Sequence, residues 1–262
     1  MLGKLMKYEI KATARWFLPL YTVILVIAAI SRLLFGDPLM MESSGFTFRK
    51  AISILVILAY VILVVGVMIV TLVVCIIRFY KSLLGDEGYL MFTLPVQTWK
   101  HITGKLLIAV LWNFLSGLFA CLSIFIIIPS PELLKIRQAF AAEFSQFFNF
   151  GSYCILSAVV IVSLVFSILQ IYAAIALGHL FNKHRLLASF GMYIAINTVC
   201  QYVTWMVTPL LVGSVMKFDG NLELIVKPVS QTFILFTVVA AILSAGCFVL
   251  TNILLKKNLN LE

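Results

Sequence analysis

Ala51-Ile-Ser-Ile-Leu-Val-Ile-Leu-Ala-Tyr-Val-Ile-Leu-Val-Val-Gly-Val-Met-Ile-Val-Thr-Leu-Val-Val-Cys-Ile-Ile77 contains no charged residue. Arg49 and Lys50 stand immediately before it and Arg78 immediately after. A bilayer core about 30 Å thick is crossed by roughly 20 apolar residues in a helix. A long uncharged run with basic residues at both ends therefore predicts a membrane-spanning helix. Five more stretches lack Asp, Glu, Lys and Arg: Trp16–Ser31, Leu106–Pro129, Ser152–Leu180, Leu186–Met216 and Pro228–Leu255. The first is short, and Leu33, Leu34 and Phe35 extend it past Arg32, which can snorkel to the interface. The fifth is long and contains Pro209, so Leu186–Thr208 is expected to be the span and the rest a kinked or re-entrant exit. The expected fold is an all-α polytopic membrane protein of six transmembrane helices, with residues 1–262 forming one transmembrane domain.

Composition agrees. Of the 262 residues 63% are hydrophobic and 11% charged, with a mean hydropathy of +1.14. A soluble domain has about 45–50% apolar and about 25% charged residues. A water-soluble globule, a disordered tail and a nucleic-acid module are thereby excluded. The first run follows a basic leader, as in a signal peptide. The leader is long for one, and the region after Ala29 makes a poor cleavage site, so an uncleaved span is expected.

Six spans put both termini on one side. That side carries twelve of the 19 basic residues but only four of the ten acidic ones. Net charge is then +8 there and +1 opposite, and the positive-inside rule makes both termini cytoplasmic in a cell membrane. The overall +9 is mostly a topological signal and implies no nucleic-acid partner. The five cysteines fall in five different spans. No C-x-x-C pair exists, so neither a disulfide nor a metal site is expected.

Proton carriers and intramembrane enzymes keep ionisable groups inside the bilayer. No Asp, Glu, Lys, Arg or His lies near the middle of any span, which argues against both. His101, His179 and His184 fall at span edges beside other basic residues. A Walker A motif is also missing: Trp99 stands where the upstream glycine of Gly104-Lys105 belongs, and Leu106 replaces its Ser or Thr. The chain is therefore expected to be neither an enzyme nor a cofactor binder, and any driving energy comes from elsewhere.

The loop over residues 78–105 is the longest on the basic side. Cytoplasmic loops are usually polar, but this one places Tyr89, Leu90, Met91, Phe92, Leu94 and Val96 close together. Contiguous apolar surface facing water marks a contact site. Gly85 and Gly88 permit a tight entry to a short helix, Asp86 and Glu87 suit its N-terminus, and Pro95 ends it. Thr98 can cap the helix leading into span three. The pattern fits a short amphipathic helix docking in a partner's groove, or alternatively one lying on lipid headgroups. Residues 1–15 place Leu2, Leu5, Met6, Ile10 and Thr13 on one helical side and Lys4, Lys7, Lys11 and Arg15 on the other. That predicts an amphipathic lead-in helix parallel to the membrane, serving as anchor or partner contact. Residues 256–262 form a short cytoplasmic tail.

An amphipathic lead-in, six spans, small outer loops and a helix in the first inner loop resemble the permease subunit of an ABC-2-type ABC transporter. The stretch from Arg78 to Val96, with Lys4, Tyr8 and Glu9, is similar to small permeases of Gram-positive, clostridial-type bacteria. Over the last four spans the likeness is architectural only. In that family the first inner loop holds the coupling helix that seats in a separate ATP-hydrolysing subunit. The resemblance implies that Gly85, Asp86, Glu87, Gly88, Tyr89, Leu90, Met91, Phe92, Leu94 and Pro95 form this element. It also implies two permeases, this chain with a second copy or a homologue, and a pair of ABC-type ATPases holding the ATP and Mg.

Asn197, Gln201, Thr204 and Thr208 recur at spacings of four, three and four on one face of span five. Such a stripe can line a polar path or join helices at roughly 1 kcal/mol per hydrogen bond. Read from the residues alone the stripe suits packing better, and the resemblance, which places spans two and five at a central path, adds some weight to the path. Ser53, Tyr60 and Thr71 form a thinner pattern in span two. The expected function is the membrane half of an ATP-driven exporter of peptides, lipids or hydrophobic drugs. The alternatives are an antimicrobial-peptide immunity permease and a non-transporting scaffold or sensor-accessory protein.

Overall fold

The computed structural model describes residues 2–35, 48–83, 98–127, 150–181, 185–213 and 223–257, together with 134–135 and 138. Among them six long helices follow one another: α1 (Leu2–Phe35), α2 (Phe48–Leu83), α3 (Thr98–Ile127), α4 (Phe150–Gly178), α5 (Arg185–Gly213) and α6 (Glu223–Lys257). Each has a stretch long and apolar enough to cross a membrane. The described residues are almost wholly helical, and six apolar helices of this length make the chain a multi-pass membrane protein. The helices have 29 to 36 residues, or about 44–54 Å at 1.5 Å per residue. They exceed a hydrocarbon core of about 30 Å.

α1 is one helix from Leu2 to Phe35, so the basic lead-in is continuous with the first span rather than set apart from it. A single buried stripe explains the continuity. Thr13, Phe17, Tyr21, Ile24, Ala28 and Ser31 are buried at spacings of three and four, while Lys7, Lys11 and Arg15 are exposed. Met6 and Ile10 begin this stripe half-buried, so it faces the chain. Pro19 lies inside the helix, which membrane helices tolerate. α5 likewise continues through Pro209 to Gly213, where the sequence suggested an irregular exit after Thr208.

The chain divides into two compact units: Met1–Cys75 with Leu111–Ser145, and Ile76–Val110 with Gln146–Glu262. In the first, hydroxyl groups and rings join α1, α2 and α3. Tyr21 Oη lies 2.7 Å from Ser116 Oγ, and Thr71 Oγ1 lies 2.8 Å from the same oxygen. Tyr60 Oη pairs with Ser123 Oγ at 2.5 Å. Phe17 stacks on Trp112 and Tyr21 on Phe119, each with ring centroids 4.5 Å apart. Arg32 donates to the Ile126 carbonyl at 2.9 Å, giving the end of α3 a donor its own backbone lacks. These pairings make α1 parallel to α3 and α2 antiparallel to it, as consecutive crossings require. Lipid offers little hydrophobic drive for helix association, so close packing and hydrogen bonds must supply it.

In the second unit α4 packs against both α5 and α6. Ile168, Leu169, Gln170, Tyr172, Ala173, Ala174, Ile175 and Ala176 are all buried, which no single-faced helix achieves. α6 presents Val239, Ala240, Ser244, Cys247, Thr251 and Leu255, again at helical spacing. The Phe79 ring of α2 stacks on Tyr172 with centroids 3.7 Å apart and planes within 10°. At Gly178 the backbones of α4 and α5 nearly touch. A Cβ there would lie 2.5 Å from Ser189 N and Cα, so only glycine fits without a shift.

Candidate functional site

The stripe on α5 has a definite setting. Among the spans, α5 is the least enclosed by the rest of the chain. Asn197 and Gln201 are exposed, and neither amide makes a hydrogen bond among the described residues. Asn197 stands at the middle of the span Arg185–Val207. Thr204 is half-buried and its hydroxyl donates to the Cys200 carbonyl at 2.8 Å, satisfying itself on its own helix. The Thr208 side chain lies outside the described residues. Cys200 is buried against the bundle. Trp205, one turn beyond Gln201, is 78% exposed beside the amides, whereas the exposed Tyr202 and Met206 lie round the helix from Asn197. The face thus combines lipid-compatible bulk with two amides that hydrocarbon cannot solvate.

The loop helix expected over Gly85–Pro95 lies outside the described residues. Its two anchors do not: α2 closes at Leu83 and α3 opens at Thr98. Close to that opening, His101 and Lys105 occupy successive turns of α3 and are only 1% and 5% exposed. They were legible only as edge residues in the sequence, and their i, i+4 spacing was the available signal. Nearby, Tyr172 Oη donates to the Lys105 carbonyl at 3.5 Å.

Span two's sparse polar pattern serves packing, since Tyr60 and Thr71 both bond to α3 serines. Asn113 also packs, with Nδ2 3.7 Å from Cys75 Sγ. Gln170 is buried on α4, and its Nε2 has no hydrogen-bond partner among the described residues. Among the described residues no group of His, Cys, Asp and Glu is arranged to hold a metal ion. The cysteines are all free.

Outside the spans, His179 caps the end of α4 with its ring 5.7 Å from that of Tyr80. Burial pushes its pKa below the ordinary imidazole range, and the nearby Arg185 cation pushes it the same way.

No family model matches this chain, and neither a curated protein nor a solved structure matches it.

Proposed function

We propose that this chain is the membrane-embedded permease subunit of an ATP-driven ABC exporter, working with a separate ATPase and a second permease. The observation that carries the reading is the exposed amide pair Asn197 and Gln201 at the middle of the least enclosed span. Amides facing hydrocarbon alone are costly. They are satisfied if the α5 face borders a second permease across a hydrated path. Peptides, lipids and hydrophobic drugs are the substrate classes such a face suits, with amides for polar groups and Trp205 for apolar ones.

In this reading the ATPase acts on the segment Gly85–Pro95, which lies between α2 and α3 in the chain. Nucleotide-driven closure displaces that segment, and the attached helices move as rigid bodies. Pull-down of the tagged protein from native membranes in mild detergent, with partners identified by mass spectrometry, tests it. Recovery of an ABC-type ATPase, lost on Glu87→Lys or Phe92→Asp, supports the assignment. Recovery of a sensor kinase with no ATPase replaces it with the scaffold reading.

A further inference from the structure

One face of α1 changes chemistry along its length. Lys7, Lys11 and Arg15 follow one another at spacings of four, and all three are exposed. Leu18, Thr22 and Val26 continue the same face at spacings of three, four and four, and they are exposed too. The Thr22 hydroxyl donates to the Leu18 carbonyl at 2.9 Å, so the lower half of the face is compatible with lipid. The opposite face holds α3: Thr13 accepts from the Trp112 indole and Phe17 stacks on its rings. The cations therefore look away from the helices that α1 packs against.

The switch from cations to apolar residues marks the edge of the hydrocarbon. Exposed cations do not sit inside it, and Trp16, 67% exposed, stands at the switch, where indoles collect. From Trp16 to Arg32, which reaches the Ile126 carbonyl at the far end of α3, α1 rises about 24 Å. That is close to a hydrocarbon core of about 30 Å. Arg15 then lies at the core's edge, Lys11 about 6 Å further out and Lys7 about 12 Å. The headgroup layer adds about 5–7 Å on each side. Arg15 and Lys11 fall within it, and Lys7 stays within a Debye length of about 8 Å above it. Glu9, the one acid of α1, is two residues from both Lys7 and Lys11, about 160° round the helix from each. None of the three cations makes an ion pair among the described residues.

We infer that Lys7, Lys11 and Arg15 bind the anionic phospholipid headgroups of the leaflet around α1. Continuity of the face selects a lipid over a protein: acyl chains lying along Leu18, Thr22 and Val26 bring a phosphate to Arg15 and Lys11. Basic segments beside a span gain affinity for anionic lipid with each cation. The opposite face keeps α1 on α3, so lipid contact sets the depth of α1 without disturbing its packing. The inference needs no ATPase and stands apart from the permease reading.

The full chain is placed in nanodiscs of equal phosphatidylglycerol and phosphatidylcholine, with one or the other lipid photoreactive high on its acyl chain. Labelled peptides are mapped by mass spectrometry. Labelling of residues 15–26 should favour phosphatidylglycerol by about tenfold or more, and Lys11→Gln should cut the preference about fivefold, one cation's worth. The triple variant Lys7→Gln, Lys11→Gln, Arg15→Gln should abolish it and keep the parent Tm in phosphatidylcholine. Lys256→Gln, an exposed cation on α6, should leave α1 labelling unchanged. Equal labelling by the two lipids, or a preference that survives the triple variant, overturns the proposal. A lowered Tm in the triple variant assigns the cations to packing and overturns it as well. Tyr8→benzoylphenylalanine, on the same exposed face, should crosslink to lipid in native membranes, and crosslinking to a protein there overturns the choice of partner.

Discussion

The Trp112 indole N–H of α3 donates to Thr13 Oγ1 of α1 at 2.8 Å, inside the bundle. Thr13 in turn donates to the Glu9 carbonyl at 2.7 Å. One hydroxyl therefore joins two helices separated by 99 positions in sequence while satisfying its own proton. Thr13→Val keeps the shape and removes the acceptor. It should destabilise the protein by about 1–3 kcal/mol, the cost of a buried donor left unpaired. Thr13→Ser should retain most of the stability. Reversible unfolding in mixed micelles checks both.

Ser116 holds the next layer, between Tyr21 and Thr71. Ser116→Ala removes both contacts at once. Thr71 keeps its bond to the Val67 carbonyl at 2.8 Å, and Tyr21 keeps the Trp112 carbonyl at 3.2 Å. The loss should therefore stay near about 1 kcal/mol, in the range of single interhelical bonds in membranes. A double-mutant cycle with Tyr21→Phe should show coupling, and additive effects would contradict the shared oxygen.

Gly178→Ala should disrupt the α4–α5 hairpin, because its Cβ meets Ser189 backbone rather than a movable side-chain tip. Gly66→Ala is the control, with nothing within 4 Å of the added carbon. Thermal unfolding should show a large loss for the first and little change for the second. A similar Tm in both would place α4 and α5 further apart than described.

His179 makes stability depend on pH. Its folded pKa is lowered by burial and by Arg185, so the unfolded chain binds the proton more readily. Stability is full above the ordinary imidazole pKa of about 6.5. It falls as pH drops from there through the lower folded value. In neutral lipid, Tm should decline between about pH 7 and pH 5, and His179→Gln should flatten that decline. An unchanged slope in the variant would assign the effect elsewhere.

Asn197→Leu with Gln201→Leu separates the two readings of the α5 face. Both side chains are exposed in the single chain, so folding of the monomer should change little. Lining a path predicts lost transport with the permease pair intact, whereas joining helices predicts dissociation of the pair. Export assays and crosslinking in the same membranes measure both.

Much of the architecture was legible in the sequence because hydrocarbon leaves the backbone few choices. A chain crossing it must satisfy every N–H and C=O within itself, so length, apolarity and flanking charge determined six helices. The spans Leu55–Lys81 and Arg185–Val207 fall close to the uncharged runs that announce them. The tertiary structure alone decided what each polar residue does. Tyr60, Thr71, Asn197 and Gln201 look alike as isolated polar letters in apolar spans. Packing turns the first two toward α3 serines and leaves the last two bare. The same holds for Gly178, whose missing side chain matters only because α4 and α5 close upon each other at Ser189. A hydroxyl or amide has partners set by which helix lies beside it, and no local pattern encodes that neighbour.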